Sequence, residues 1–168
     1  GYPPRMSTIL QVNSLSKAYG SQAILKNADF NVTDRQKIGV IGRNGAGKST
    51  LFKIIVGDED LDDGKVTICE GTTIGYLTQH SEYEEDETVI DFLMRSSGKQ
   101  DWECGKVAGG FQVKGDMLYV TVTSLPGGYQ MRVKLIAMLL KEPNLLLLDE
   151  LTNYLDLSTQ ILFEKFLE

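Results

Sequence analysis

Short stretches rich in apolar and β-branched residues, Thr8 to Val12 and Phe30 to Val32, predict strands joined through a turn at Gly20-Ser21. A third such stretch, Ile38 to Ile41, runs straight into a glycine-rich segment. Behind that segment Leu51, Phe52, Ile54 and Ile55 mark one apolar face of a helix that ends at Gly57. Lys65–Cys69 and Thr73–Leu77 read as two more strands, separated by Glu70-Gly71-Thr72, and from Thr88 to Met94 the pattern turns helical. Gly98 to Gly115 is Gly-rich and poorly periodic, and supports no assignment; Leu118–Val122 reads as a short strand or an extended lead-in. After Gly127-Gly128, Val133, Ile136, Ala137 and Leu140 recur at i, i+3, i+4 and i+7, which predicts a strong helix stopped by Glu142-Pro143-Asn144. The apolar run Leu145–Leu148 then suits a strand buried on both faces, and a last helix is expected from about Ser158 onward.

Strand, glycine loop and helix, followed much later by a buried strand, predict an α/β core with parallel strands. The 168 residues suffice for one domain with a real core, and 42% hydrophobic with 24% charged residues is a soluble composition. Apolar runs stay well short of the roughly 18 residues that cross a bilayer, so no membrane insertion is expected. Gly1 to Arg5 reads as a remnant ahead of a natural start at Met6-Ser7.

The formal charge of −6 argues against this piece alone holding nucleic acid, where a basic surface supplies most of the affinity. Much of the acidic excess sits in Asp58–Asp63 and Glu82–Glu87, which read as solvated loops. Cys69 and Cys104 form no CxxC pair, so reduced thiols of a cytosolic chain are expected and a zinc site is not.

Gly42-Arg43-Asn44-Gly45-Ala46-Gly47-Lys48-Ser49 fits the P-loop pattern GxxxxGK(S/T), with Thr50 following. Its glycines let the backbone curl so that successive N–H groups hold phosphate oxygens, and the next helix adds its positive N-terminal end. Lys48 would reach the outer phosphates, and Ser49 would ligate Mg²⁺. Leu145–Leu148 leads into Asp149-Glu150, which puts carboxylates at the C-terminal end of a buried strand, where open α/β sheets collect ligands. There Asp149 would help hold Mg²⁺ through water and Glu150 could polarise an attacking water. Gly127-Gly128, in Leu125-Pro126-Gly127-Gly128-Tyr129-Gln130, lets backbone approach a phosphate or simply tightens a helix entry; the two readings stand level.

The order GRNGAGKST, IGYLTQ, LPGGYQMRVKLIAMLL and LLLLDELTNYLD resembles an ABC ATPase domain across nearly the whole chain. The resemblance implies a P-loop NTPase core with a mainly parallel sheet, an antiparallel β subdomain and a small helical subdomain at about 88–141. It also implies ATP and Mg²⁺ as cofactors. Gln79 matches the Q-loop glutamine that touches Mg²⁺ and the attacking water, and Tyr19 the aromatic that stacks on adenine. Gly127-Gly128 matches the signature that closes over ATP held by a second ABC domain, so a head-to-tail pair is implied. Thr152-Asn153-Tyr154-Leu155-Asp156 is similar to the TNxLD of ABC-F proteins, twin-domain ATPases that act on ribosomes, and Trp102 to Lys106 suits that group too. Asp156 is then the D-loop aspartate, and ribosome or rRNA contact through other parts is implied.

Pro126 replaces the signature serine, Leu151 the proline after the catalytic Glu150, and Thr78 a common proline before Gln79. The switch histidine of the family is expected beyond Glu168; the single histidine, His80, reads as a surface loop residue. Two other functions stay open on these residues: the ATPase subunit of a membrane transporter, and a regulatory module that binds nucleotide without hydrolysis.

Overall fold

The chain enters its fold through a long hairpin. β1 (Thr8–Tyr19) and β2 (Gln22–Thr33) are antiparallel and joined by the Gly20-Ser21 turn, as the sequence predicts, although both strands run further than expected. β3 (Asp63–Ile68) pairs antiparallel with the other edge of β1, giving the order β2-β1-β3. Leu10 and Val12 are buried at strand spacing, but the next buried position is Leu15. A register shift between Val12 and Leu15, with Ser14 at φ 47°, inserts the extra residue that returns Leu15 to the same face.

The structure is a computed structural model that describes residues 8–33, 46–77, 83–148 and 156–167. The strand expected at Ile38 to Ile41 and the stretch Gly1 to Arg5 lie outside these. Two compact units divide the chain: Gly1–Ile74 with Pro143–Asp149, and Gly75–Glu142 with Glu150–Glu168.

In the first unit α1 (Ala46–Val56) lies against β2 and buries Leu51, Ile54 and Ile55 while Lys53 stays exposed, the predicted amphipathic face. Gly57, at φ 89°, ends it. The acidic run that follows is mostly exposed, as predicted, but two of its carboxylates are paired with the hairpin. Lys17 pairs with Glu59 at 3.3 Å and Asp62 at 3.6 Å, and the second oxygen of Asp62 accepts from the Ala18 N–H at 2.7 Å. The loop crosses the tip of the hairpin, so its carboxylates meet strand donors that local sequence does not display. β5 (Leu145–Leu148) is the predicted apolar strand, with Leu145, Leu146 and Leu147 buried. β4 (Ile74–Leu77) begins beside it at Ile74.

The second unit is helical. α2 (Val89–Ser97) starts at Thr88, whose hydroxyl accepts from the Asp91 N–H at 3.3 Å, and stops at Gly98 with φ 73°. α3 (Asp101–Gly110) occupies the stretch without a legible period. Leu118–Val122 is no regular strand. A 3-10 turn covers Gly115–Tyr119, a second covers Val122–Ser124, and a single bridge joins Thr121 to Thr88. α4 (Gly127–Leu140) packs against α2 and α3, and every residue from Arg132 to Leu140 is buried. Burial on all sides, with Arg132 and Lys134 as the charged exceptions among apolar residues, makes it a core helix. α5 (Leu157–Phe166) follows, one residue earlier than expected.

Candidate functional site

α1 emerges from the glycine run at Ala46, so Ala46, Gly47, Lys48, Ser49 and Thr50 form its first turns, with Thr50 buried. No acidic residue occupies the first turn. The free N–H groups and positive end of the helix are therefore not offset by a carboxylate of the helix itself, which fits a bound phosphate. Gly42, Asn44, Gly45, Gln79, Asp149 and Glu150 lie outside the described residues, as do Thr78, His80, Leu151 and Thr152 to Leu155. The expected Mg²⁺ ligands thus fall at positions, or on side chains, that the structure does not describe. Among the described residues no group of three or more His, Cys, Asp or Glu gathers to hold a metal.

Tyr19 closes β1 at the hairpin tip, with 48% of its surface exposed. Lys17 Nζ stands 5.4 Å from the ring centroid, a weak cation–π contact on a ring that keeps area for a second planar group. It is thus a strand-end tyrosine about half exposed.

Gly127 and Gly128 are the first two residues of α4 rather than a turn ahead of it. Pro126 is its N-cap and supplies no side-chain acceptor. Gln130 supports the turn instead: its Nε2 donates to the Leu125 carbonyl at 2.8 Å and the Thr123 carbonyl at 3.3 Å, and its Oε1 accepts from the Tyr83 hydroxyl.

Asp156 caps α5. Its Oδ1 accepts from the Thr159 N–H at 2.8 Å and the Ser158 hydroxyl at 3.1 Å. Those bonds to Thr159, aided by Ser158 and the charge of Arg132, hold its carboxyl below the usual aspartate range. Oδ2 faces Gly128 closely enough that a Cβ there would stand 2.8 Å from it. Gly128 and Asp156, far apart in sequence, therefore meet within the second unit.

Sequence reasoning missed Arg132, which binds this corner together. Its Nε donates to Thr159 Oγ1 at 2.8 Å, one terminal nitrogen to the Phe111 carbonyl at 3.1 Å and the other to Ser158 Oγ at 2.8 Å. It lies 3.6 Å from Asp156 and over the Tyr129 ring at 4.5 Å. The available signal was an arginine inside a helix predicted to be core: a buried guanidinium needs partners for its donors. Cys69 is free and exposed, Cys104 free and buried, and burial pushes the Cys104 thiol up.

The family model described as "ABC transporter" matches residues 25–153. The chain is 37% identical to the ATP-binding protein YheS of Escherichia coli (strain K12), over 95% of this chain and 26% of that protein. It is 35% identical to the ATP-binding protein YdiF of Bacillus subtilis (strain 168), over 95% of this chain and 32% of the other. With the ATP-binding protein Uup of Buchnera aphidicola subsp. Schizaphis graminum it shares 34% identity, over 95% and 28%. It spans only 26% to 32% of these relatives. In fold it is similar to an ATP binding subunit of an ABC transporter, with TM-score 0.74 and 25% identity over 95% of this chain and 73% of that one. A bacterial Atm1-family ABC exporter with ATP bound gives TM-score 0.77 at 23% identity, over 98% of this chain and 33% of that one.

The chain belongs to the ABC family of ATP-hydrolysing domains, with the mixed α/β fold of that family. Its curated relatives are ATP-binding proteins of the ABC-F type, which agrees with the resemblance read from the segment ending at Asp156. No helix among the described residues is long and apolar enough to cross a membrane.

Proposed function

We propose that this chain binds Mg-ATP at its P-loop and works as one half of a head-to-tail pair of ABC domains, whose closure and hydrolysis switch a grip on the ribosome. The observation that carries the nucleotide part is α1 springing from the glycine run with no acidic residue in its first turn. The ribosomal part rests on the ABC-F relatives and on the segment Thr152 to Asp156.

In this reading the amides of Gly42 to Lys48, with those of Ser49 and Thr50 behind them, enclose the phosphates, and Lys48 pairs with the outer ones. Tyr19 takes the adenine face. Mg²⁺, when bound, neutralises charge between phosphate oxygens, and Ser49, Gln79 and Asp149 are the residues that would hold it. Glu150 accepts hydrogen bonding from the attacking water and orients it, with Gln79 beside it. Gly127, Gly128 and Asp156 serve the nucleotide held by the partner domain.

Titration calorimetry with Mg-ATP tests the first half: saturable binding, weakened at least tenfold in Lys48→Ala, is expected. Absence of binding, or binding unchanged in that variant, removes the reading. ATP-dependent co-sedimentation with purified ribosomes tests the second half. A transporter ATPase subunit is the second reading, favoured by the fold likeness to an ABC transporter's ATP binding subunit. Co-purification with a membrane protein instead of ribosomes would establish it.

A further inference from the structure

Arg132 is buried, with 4% of its side chain exposed, yet nothing in the proposed chemistry uses it. Its contacts follow a plan. Three hydrogen bonds fasten the guanidinium to the end of α3 at Phe111 and to the first turn of α5 at Ser158 and Thr159. Tyr129, one turn back on α4, covers its face at 4.5 Å. An arginine held by a planar fork at this many points has one position.

What that position controls is Asp156. Ser158 and Thr159, which accept from Arg132, are also the residues that donate to Asp156 Oδ1, and Arg132 itself reaches the same oxygen at 3.6 Å. With Oδ1 held on that side, Oδ2 is turned onto Gly128, in the space a Cβ would need. The carboxylate thus sits against the first turn of α4, the end of a helix that favours an anion.

We propose that Arg132 is a positioning residue that locks the Asp156 carboxylate against Gly128 and thereby presents these two residues to the partner domain's ATP as one rigid surface. Arg132 touches no nucleotide; it acts through Asp156. The inference rests on the head-to-tail reading above for its consequence, but not for its geometry.

Two measurements separate those layers. The first needs no nucleotide: the Gly128 amide resonance in ¹⁵N-labelled protein. Arg132→Met fills most of the volume without leaving a buried charge, and should shift that resonance. In an Asp156→Asn background, where the anionic oxygen is already gone, the same change should shift it far less. Equal shifts in both backgrounds, or none in either, overturn the proposal whatever the protein does with ATP. The second is steady-state ATPase of the purified protein. Arg132→Met should lower kcat at least tenfold with KM for ATP within about twofold, and should add little in Asp156→Asn. Unchanged kcat, or losses that multiply, overturn it. Should Arg132→Met not fold, Thr159→Val with Ser158→Ala removes the same fastening and is held to the same outcomes. A wild-type protein without ATPase activity counts against the head-to-tail reading, while the resonance still decides the lock.

Discussion

Thr73 and Asn144 grip each other through backbone and side chain at once. Asn144 Oδ1 accepts from the Thr73 N–H at 2.9 Å and its hydroxyl at 3.0 Å, while the Thr73 carbonyl accepts from the N–H groups of Asn144 at 2.9 Å and Leu145 at 3.1 Å. The pair sits where β5 begins, with Asn144 five positions before Asp149. It sets the start of the strand that delivers the proposed metal and water ligands.

Asn144→Ala removes the acceptor that serves both Thr73 donors. Each hydrogen bond is worth about 0.5–1.5 kcal/mol net, and both residues are exposed, so a loss of about 1–2 kcal/mol is expected in urea unfolding. Thr73→Val should cost less and Thr73→Ser almost nothing. A neutral Asn144→Ala would show that the clamp carries no stability.

Gly64→Ala is expected to be far more damaging. At φ 97° an added Cβ would stand 2.4 Å from the Ser14 carbonyl oxygen and 2.6 Å from that of Asn13. Those are backbone atoms of the irregular stretch that keeps Leu15 in the core, so they have little room to move. A loss of about 3 kcal/mol or more should appear as a large drop in urea midpoint.

The hairpin, α1, α4 and β5 were legible because their signals are local: a Gly-Ser turn, an i, i+3, i+4, i+7 stripe, an unbroken apolar run. α3 was not. Gly105, Gly109 and Gly110 blur its period, and what starts it is a side-chain contact, Glu103 accepting from the Gln100 N–H at 2.9 Å. A polar residue followed by Glu three positions on was the usable clue. At the candidate site, the family resemblance singled out Gly128 and Asp156 separately, but not that they touch, nor that Arg132 serves both. Those contacts span 21 to 28 positions and depend on how α4 packs beside α5.

Gly127→Ala and Gly128→Ala form a matched pair. No described residue stands within 4 Å of a Cβ at the first position, whereas the second is faced by Asp156 Oδ2. Replacing glycine by alanine inside a helix is worth up to about 1 kcal/mol. Gly127→Ala should therefore be neutral to slightly stabilising in thermal unfolding. Gly128→Ala gives up that gain, because displacing Asp156 weakens a cap worth about 1 kcal/mol. The difference between the two variants is the quantity to measure.

Acid should weaken the second unit at two points. Arg95 donates to both oxygens of Glu87, at 2.6 and 2.8 Å, and holds its pKa below the usual glutamate range. The carboxyl of Asp156 is lowered chiefly by its bonds to Thr159. A depressed folded pKa adds stability above the unfolded value, and that contribution disappears as pH falls through the folded one. Urea midpoints should therefore drop below about pH 4, and the drop should be shallower in Glu87→Gln. An unchanged acid limb in that variant would rule out the Arg95 pair as its source.

α4 has no outward face between Arg132 and Leu140. Such a helix cannot slide or roll alone without opening voids along its length, and close-packed interiors resist that. A displacement of Pro126 or Tyr129 is therefore expected to engage α2 and α3 as well as α4, as a shaft set in bearings loads its housing.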